Sequence, residues 1–317
     1  MRQFAAMLCR APRRVPNPVS SRFAPGDERG ARREAAAAGV MRLLLGMTLA
    51  LGAPCGSAAE VEARVREDTP YVQSGMIVVA TMLEMARVRG SDFVIDLGSG
   101  DGRIVIEAAR RFGAHGLGID YDPSLVKLAT DNAAGAGVGD RVSFVQEDIF
   151  KSDFSAASVI TMYLLPEYNM VLRPRLLAMK PGTRIVSHDF AMGEWKPDAQ
   201  RTVAVPDKPV GAKKESVIYF WVVPARVAGR WRSTLAPGGR EVDFELRQRF
   251  QVVSGSARIE GRAMALERAT LRGPFLSFRV QDGERALRFN GHVSAGRISG
   301  QLGVGERSYR WRALRAE

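Results

Sequence analysis

Two hydrophobic periodicities alternate along residues 69–224 of this 317-residue chain. Short apolar runs are typical of buried strands, and apolar residues that repeat every three or four positions are typical of amphipathic helices. The strand-like runs are residues 93–95, 116–119, 141–145, 157–165, 184–187 and 216–224. The helix-like runs are residues 69–90, 104–109, 125–134 and 172–179. This alternation predicts an α/β fold, in which a Rossmann-like, mainly parallel sheet carries helices on both faces.

After Pro224 the chain changes to short runs in which apolar and polar residues alternate, with Gly-Gly and Asp-Gly turns between some of them. This pattern predicts about eight half-buried strands and few helices. Trp231 near the start and residues 310–312 near the end resemble the Trp and Arg that close small calycin-like barrels. We therefore predict three parts: a leader (1–59), an α/β domain (60–224) and a smaller all-β meander or barrel (225–317).

The net charge of +12 is unevenly distributed. Residues 60–224 carry 19 basic and 22 acidic side chains, a net charge of −3, so the α/β part lacks the basic excess of a nucleic-acid-binding domain. Residues 225–317 carry 18 basic and 9 acidic side chains, and all of these cations are arginines. We interpret the alternating arginines as solvated strand faces and expect no nucleic-acid partner.

Cysteine and histidine are too few and too dispersed to indicate a site. Cys9 and Cys55 both lie in the leader, and the three histidines are far apart in the sequence. We therefore expect no disulfide, no thiolate chemistry and no metal site in the domains.

Residues 96–102, Asp-Leu-Gly-Ser-Gly-Asp-Gly, stand between a predicted strand and a predicted helix. Glycine lacks a Cβ, so the backbone can turn sharply and approach a ligand closely. The amides that begin the helix can then face a polar or anionic group. The next predicted strand ends at Asp120. The sequence separation between the glycine turn and this acid is close to the one at which an acidic residue binds the ribose hydroxyls of a nucleotide. These features predict a nucleotide site at the carboxyl edge of the sheet.

The glycine spacing distinguishes between two nucleotide cofactors that otherwise both fit. A dinucleotide fold requires G-x-G-x-x-G, whose third glycine would fall at position 103, which is Arg103. The D-x-G-x-G-x-G pattern instead resembles motif I of the class I S-adenosylmethionine-dependent methyltransferases. The cofactor of that class is a sulfonium with a free amino acid end, so the acid at the strand tip, Asp96, can pair with a cationic group of the cofactor.

A closer resemblance extends over about residues 69–224. The segments DFVIDLGSGDGRIVIEAAR, GLGIDYDPSLV, MYLLPEYNMVLRP and PGTRIVSHDFAMGEW resemble bacterial relatives of the ATP synthase c-subunit lysine methyltransferases. The resemblance implies S-adenosyl-L-methionine as the cofactor and a protein lysine as the methyl acceptor. The predicted cofactor-binding residues are Asp96, Gly98, Ser99, Gly100, Gly102, Asp120, Tyr121, Asp148 and Ile149. Among them, Asp148 suits the adenine amino group, and Ile149 packs on the base.

Methyl transfer is an in-line displacement, so holding donor and acceptor in line supplies much of the acceleration. Polar side chains at the ends of the fourth and fifth predicted strands are placed to orient an amine. We predict Tyr163, Asp189 and His188 as the catalytic residues, with Glu167 and Asn169 as further candidates.

The chain departs from its resemblance ahead of the first helix. Members of that branch usually carry proline on both sides of a small hydroxyl residue, whereas this chain reads Tyr71-Val72-Gln73-Ser74-Gly75. The departure predicts a looser segment and affects the choice of substrate more than cofactor binding. Ser74 is also predicted to cap the first helix.

Other functions stay open on the sequence. Motif I does not identify the acceptor, so a small-molecule methyltransferase is the nearest alternative. A protein that binds S-adenosylmethionine without catalysis is a second alternative, and nucleic-acid binding through the arginine-rich tail is a third.

The leader combines an Arg-, Ala- and Pro-rich stretch with an apolar run. From Met41, one cation, the run 43–51 and a small-residue Ser-Ala-Ala site predict a signal peptide that is cleaved before Glu60. We therefore expect an exported protein, or one anchored in the bacterial envelope and close to a membrane. Because S-adenosylmethionine is made in the cytosol, an uncleaved anchor or a misassigned start are the alternatives.

Overall fold

The structure is a computed structural model that describes residues 71–316, apart from positions 210, 212 and 237. The helices of this part of the chain are α1 (Met76–Met85), α2 (Arg103–Phe112), α3 (Pro123–Gly135) and α4 (Pro166–Leu177). None of them is long and apolar enough to cross a membrane. The signal peptide predicted within residues 41–59 lies outside the described residues and stays a prediction.

Seven strands form one sheet in the order β3-β2-β1-β4-β5-β7-β6. Their bounds are β1 (Phe93–Leu97), β2 (His115–Asp120), β3 (Val142–Gln146), β4 (Val159–Met162), β5 (Arg184–His188), β6 (Ala199–Ala204) and β7 (Glu215–Val222). Strands β1 to β5 pair in parallel, whereas β7 is antiparallel to both β5 and β6. The predicted mainly parallel, Rossmann-like sheet is confirmed.

Successive residues of the central strands are buried on opposite faces of the sheet, because side chains alternate between the two faces along a strand. Val94 packs in one core cluster with α1 residues such as Val78. The neighbouring Ile95 packs in another cluster with Leu172 of α4. Helices therefore cover both faces of the sheet, and this explains why its central strands read as continuous apolar runs.

The structure differs from the sequence prediction at three places. Strand β6 was missed because it is an edge strand whose residues are almost all exposed, so it lacks an apolar face. Helix α4 begins at Pro166 rather than near residue 172, because proline is well suited to the first position of a helix. The N-cap of α1 is Gly75, without a side-chain hydrogen bond, so the prediction that Ser74 caps this helix was wrong.

After β7, eight antiparallel strands close into a barrel. They are β8 (Gly229–Leu235), β9 (Arg240–Arg249), β10 (Val252–Ile259), β11 (Arg262–Arg272), β12 (Phe275–Asp282), β13 (Arg285–Ser294), β14 (Arg297–Val304) and β15 (Arg307–Arg315). The barrel closes because β8 pairs with both β9 and β15. The predicted all-β tail is confirmed, and it is a barrel rather than an open meander.

Aromatic side chains fill the barrel interior. The ring of Phe289 stacks on Phe278 with centroids 4.8 Å apart, and it meets Trp311 edge-on at 5.0 Å. Near the closure, the guanidinium of Arg315 lies 4.6 Å from the ring centroid of Trp231. The same guanidinium donates to the Ala228 and Arg226 carbonyls, so a Trp–Arg pair does close the barrel, with Arg315 as its cation.

The barrel contacts the sheet on the edge opposite to the carboxyl ends of the parallel strands. Gly273, in the β11–β12 turn, packs against Gly182, which precedes β5. The Gly273 carbonyl also accepts a hydrogen bond of 2.8 Å from the Ala225 amide. The barrel therefore leaves the carboxyl edge of the sheet free for a site.

The interior aromatic cluster generates a stability prediction. Phe289→Ala removes a ring that is 1% exposed, and we expect the free energy of unfolding to fall by about 3–5 kcal/mol. Phe275→Ala is the matched control, because that ring is 63% exposed on the outside of the same barrel. Urea unfolding followed by tryptophan fluorescence measures both variants. Equal losses would contradict the packing described here.

Candidate active site

A cleft of about 620 Å³ opens at the carboxyl edge of the sheet. This volume is within the range of small-molecule sites. Its walls are the turn after β1, the ends of β2 and β3, the loop after β4, and residues 71–74 ahead of α1. Open α/β sheets bind their ligands at this edge, so the cleft lies where the topology predicts a site.

The turn after β1 is tightly hydrogen-bonded to the end of β2. The amides of Gly98 and Ser99 both donate to the Ile119 carbonyl, at 2.9 and 3.0 Å. The Gly100 amide donates to Oδ2 of Asp120 at 2.7 Å. Gly98 and Gly100 adopt positive φ values of 76° and 55°, which residues with a Cβ rarely adopt. The glycines are therefore required by the backbone conformation of the turn.

Close packing against the turn is a second reason why glycine is required at these positions. A Cβ on Gly100 would lie 2.4 Å from the Tyr71 ring, and one on Gly98 would lie 2.8 Å from the Leu164 side chain. Gly102 is the N-cap of α2 and does not line the cleft. A Cβ there would lie 2.6 Å from the Phe144 ring, so Gly102 allows the helix to pack closely on the sheet.

Asp96 is a buried carboxyl at the tip of β1, where it lines the cleft. Its Oδ1 accepts a hydrogen bond of 2.7 Å from the Thr161 hydroxyl. Burial, together with the charges of Asp120 and Asp101, raises the pKa of Asp96 from an ordinary 3.8 to about 7. A cation beside Asp96 would reverse this effect, because it stabilises the carboxylate.

The other predicted cofactor-binding residues are at the ends of the next two strands. Asp120 holds the Gly100 amide with Oδ2 and the Asp122 amide with Oδ1, and carboxylate oxygens keep further lone pairs for a ligand. Tyr121, Asp148 and Ile149 also line the cleft. Of the nine predicted residues, all but Gly102 are therefore brought together in the cleft lining.

Residues 71–74 form the wall that sequence reasoning underestimated. Arg103 forms an ion pair of 2.6 Å with Asp101 and donates to the Ser74 carbonyl at 2.8 Å. The Gln73 side-chain amide donates to the Tyr71 hydroxyl and to Asp101, at 3.0 and 3.3 Å. Side-chain contacts thus tie this segment to the glycine turn, in place of the prolines that members of the family carry.

Tyr163 lines the cleft and stacks on a histidine behind it. The ring centroids of Tyr163 and His188 are 3.8 Å apart, and Phe190 stacks on Tyr163 at 6.2 Å. His188 is buried between two serines, with Nδ1 2.9 Å from the Ser74 hydroxyl and Nε2 2.9 Å from the Ser216 hydroxyl. Burial lowers the pKa of His188 to about 4, so the ring is neutral near pH 7.

His188 and Asp189 do not line the cleft, in contrast to Tyr163. Asp189 turns back to the sheet edge with a φ of 59°, and its Oδ1 accepts from the Val217 amide at 2.9 Å. Its Oδ2 is 2.6 Å from Lys208 Nζ. The structure therefore does not support the expectation that these two side chains contact the substrate directly, because His188 lies behind the Tyr163 ring and Asp189 is bonded to β7, on the side of β5 away from the cleft.

The two further candidates lie on α4 rather than in the cleft lining. Glu167 is exposed in the first turn of the helix. Asn169 is fully buried, and its amide donates to the Ser187 hydroxyl and the Phe190 carbonyl. Asn169 thus fixes the chain after β5.

Sequence reasoning missed Tyr71, Gln73 and Arg103 as residues of the site. Arg103 was interpreted only as the residue that breaks a dinucleotide pattern. The available signal was the position of residues 71–75 at the start of the family-like region, directly ahead of the first helix.

The residues of the cleft fit S-adenosyl-L-methionine. Gly98, Ser99 and Gly100 line the cleft and carry at most a small side chain, so a nucleoside can approach the backbone there closely. The hydroxyl of Ser99 is buried in the cleft lining without a hydrogen-bond partner among the described residues. Asp96, whose charge the free protein destabilises, suits the cationic amino acid end.

Comparison with known proteins agrees with this geometry. Residues 96–199 match the family described as ANTKMT methyltransferase domain. A protein-lysine N-methyltransferase of Saccharolobus islandicus is 38% identical over 156 residues, which cover 49% of this chain and 93% of the relative. The adenine nucleotide translocase lysine N-methyltransferase of Mus musculus is 34% identical over 43% of this chain and 59% of its own length.

One solved structure with high sequence identity is an RNA methyltransferase of Salinibacter ruber in complex with S-adenosyl-L-homocysteine. It is 50% identical, covers 49% of this chain and 96% of its own, and has a TM-score of 0.44.

The fold and the cleft define a class I methyltransferase that uses S-adenosyl-L-methionine. Within that class, the chain belongs to the family of the Saccharolobus protein-lysine N-methyltransferase, and its residues 96–199 match the ANTKMT methyltransferase domain.

The raised pKa of Asp96 predicts that cofactor binding depends on pH. The amino end of S-adenosyl-L-homocysteine favours the ionised carboxyl, so we expect its affinity to fall as the pH decreases below about 7. Binding at pH 6 should release about one proton, which calorimetry in buffers of different ionisation enthalpy measures. A pH-independent affinity between pH 6 and 8 would contradict the predicted contact.

Asp96→Asn is the control, and it has a second expected effect. The folded state binds a proton at Asp96 that the unfolded chain loses above pH 4, so this group reduces stability as the pH rises from about 4 to about 7. The variant should therefore lose proton release and cofactor affinity, yet unfold at a higher temperature than the wild type at pH 8.

The glycine turn generates a separate prediction. Gly100→Ala adds a Cβ that meets the Tyr71 ring, and we expect the affinity for S-adenosyl-L-homocysteine to fall at least tenfold. Gly137→Ala is the matched control, because Gly137 also has a positive φ (70°) but has nothing within 4 Å of the added Cβ. Isothermal titration compares the two variants. Undiminished binding by Gly100→Ala would remove the turn from the site.

Proposed function

We propose that this methyltransferase transfers a methyl group to the side-chain amine of a lysine in a protein. The observation that carries the proposal is the relative named a protein-lysine N-methyltransferase, which is 38% identical and 93% covered by this chain. The animal relatives are covered less completely, so we do not transfer their individual substrates to this chain.

The charge of the cleft supports a cationic acceptor. Five carboxyl groups line it: Asp96, Asp101, Asp120, Asp122 and Asp148. Among the lining residues the one cationic side chain is Arg103, and its charge is paired with Asp101. A cleft with walls of one charge sign concentrates the opposite charge, so a lysine ammonium is attracted to its mouth.

Aromatic side chains support the same acceptor. Tyr71 and Tyr163 both line the cleft, on the wall ahead of α1 and on the loop after β4. Aromatic faces attract an ammonium group and pack well against the methylene chain of a lysine. These two rings are therefore placed to guide a long cationic side chain.

When bound, the cofactor supplies the electrophilic methyl group of its sulfonium. The residues of the chain have to position an uncharged amine in line with it. A lysine amine has an ordinary pKa of about 10.4, and desolvation in the cleft lowers it. The acceptor can thus lose its proton to solvent as it leaves water.

Tyr163 orients the amine rather than accepting its proton. Burial, followed by the charge of Asp189, raises the pKa of Tyr163, so it is a neutral phenol near pH 7. A neutral hydroxyl can accept or donate a hydrogen bond. The His188 ring packs behind the Tyr163 ring, with ring centroids 3.8 Å apart, and so positions the phenol. A hydrogen bond to the Ser74 hydroxyl connects the imidazole of His188 to the segment ahead of α1, which forms the opposite wall of the cleft.

A labelling experiment tests the proposal. The protein is incubated with a cell extract and S-adenosylmethionine labelled in its methyl group, and the extract is separated into protein, RNA and small molecules. We expect label in protein, and methylated lysine after acid hydrolysis. Label that is confined to RNA or to small metabolites would refute the lysine acceptor while leaving the methyltransferase assignment intact.

Two variants make the experiment specific. Asp96→Asn should abolish labelling because it removes cofactor binding. Tyr163→Phe should bind the cofactor normally but label protein more slowly, by about ten- to a hundredfold, because its hydroxyl no longer accepts a hydrogen bond from the amine nitrogen as that nitrogen gains positive charge in the transition state. Full activity of Tyr163→Phe would exclude its hydroxyl from the mechanism.

A further inference from the structure

The arginines of the barrel are concentrated on one side of it. Four adjacent strands, β13, β14, β15 and β8, carry nine arginines and no Asp or Glu, and the turns beside them add the exposed Glu284 and Glu306. The other four strands, β9 to β12, carry eight arginines and five acidic residues. We name the first group the basic wall. Its arginines are Arg230, Arg232, Arg285, Arg288, Arg297, Arg307, Arg310, Arg312 and Arg315.

A depression of about 950 Å³ lies in the basic wall, where the barrel closes. The β8–β15 ladder extends over three pairs, from Arg315–Trp231 to Ala313–Ser233, whereas β14 and β15 pair along their whole length. Beyond Ser233 the two strands diverge. The lining of the resulting opening, which we call the seam, includes Arg232, Arg310 and Arg312 and no carboxyl group.

A buried hydroxyl at the seam lacks a partner. Ser233 is 3% exposed, and its Oγ makes no hydrogen bond within the described residues. Such a group is costly to bury unless something satisfies it. Ser233 borders the depression, but its side chain faces the barrel interior together with Trp231 and Leu235, so its hydroxyl is not a ligand contact.

Two arginines that line the seam are available to a ligand. Arg310 and Arg312 are two positions apart on β15, so both side chains lie on the exposed face of the strand. Neither forms an ion pair in the described part of the chain. Arg315 differs, because its guanidinium is committed to Trp231 and two carbonyls. Arg232 bonds Asp243 through Nε at 3.1 Å and so retains its terminal nitrogens.

We propose that the seam and the basic wall bind the phosphate groups of a nucleic acid. Guanidinium forks match phosphate oxygens in two-point hydrogen bonds, and the wall presents them over four adjacent strands, as a polyanion requires. Ser299, Gln301 and Thr234 also line the depression and add neutral hydrogen-bonding groups.

The composition of the wall disfavours a membrane surface. Proteins that lie on bilayers insert exposed aromatic and aliphatic side chains between their cations. Within the described residues, strands β14, β15 and β8 expose one large apolar side chain, that of Leu314. This inference departs from the expectation that the protein has no nucleic-acid partner. It concerns the barrel alone and does not rest on the lysine acceptor.

The test is the binding of the full-length protein to a fluorescent 20-nucleotide oligouridylate, measured by anisotropy over a range of salt concentrations. We expect saturable binding at low salt. The double variant Arg310→Glu, Arg312→Glu should weaken it at least tenfold and reduce the magnitude of the log–log salt slope by about 1.4, the value for two single-strand phosphate contacts.

The matched control is Arg247→Glu, Arg258→Glu, which makes the same charge change at two exposed positions of β9 and β10. We expect this variant to bind within threefold of the wild type. Equal weakening by both double variants, or no saturable binding at low salt, would overturn the proposal. Equal or tighter binding to polyglutamate or to phosphatidylglycerol vesicles would also overturn it. Unchanged unfolding temperatures and methyl transfer in all variants show that the barrel variants fold.

Discussion

The contact between the Gly100 backbone and its surroundings is the constraint on which the site depends. On one side the amide of Gly100 is held by the Asp120 carboxylate at 2.7 Å, and on the other the Tyr71 ring lies where a Cβ would be. This arrangement joins β1, β2 and the segment ahead of α1 at a single residue. Tyr71 and Asp120 can approach the turn this closely because Gly100 has no side chain of its own.

Charge and burial around this turn are organised for a ligand rather than for the free protein. Asp96 is buried beside other carboxylates without a cationic partner among the described residues, which raises its pKa to about 7. A group held in this way reduces the stability of the folded protein at neutral pH and gains stabilisation when a cation binds. Behind the opposite wall, the pKa of His188 falls to about 4 for the same reason, burial, and His188 therefore acts as a neutral hydrogen-bonding spacer.

The sequence predicted those features that arise from local pattern. The apolar runs of the central strands, the glycine turn and the alternation in the barrel strands all have a fixed period or spacing, and each was confirmed. Strand β6 escaped because an exposed edge strand has no apolar face to detect. The positions of His188 and Asp189 could not be predicted, because adjacent residues at a strand end point in different directions once Asp189 adopts a positive φ.

Long-range contacts were also beyond the reach of sequence reasoning. Ser74 was expected to cap a helix, yet its hydroxyl bonds His188, which is 114 positions later in the chain. Likewise, the arginine that closes the barrel on Trp231 is Arg315 rather than one of the residues around Trp311. Tertiary packing decides both contacts, and neither leaves a periodic signal in the sequence.

The most direct test of the central claim is a crystal structure of the protein with S-adenosyl-L-homocysteine. Our account predicts that the nucleoside lies against the backbone of residues 98–100, with its ribose at Asp120 and its amino group beside Asp96. Density for the ligand at another place, or a carboxylate of Asp120 that stays remote from it, would contradict the account.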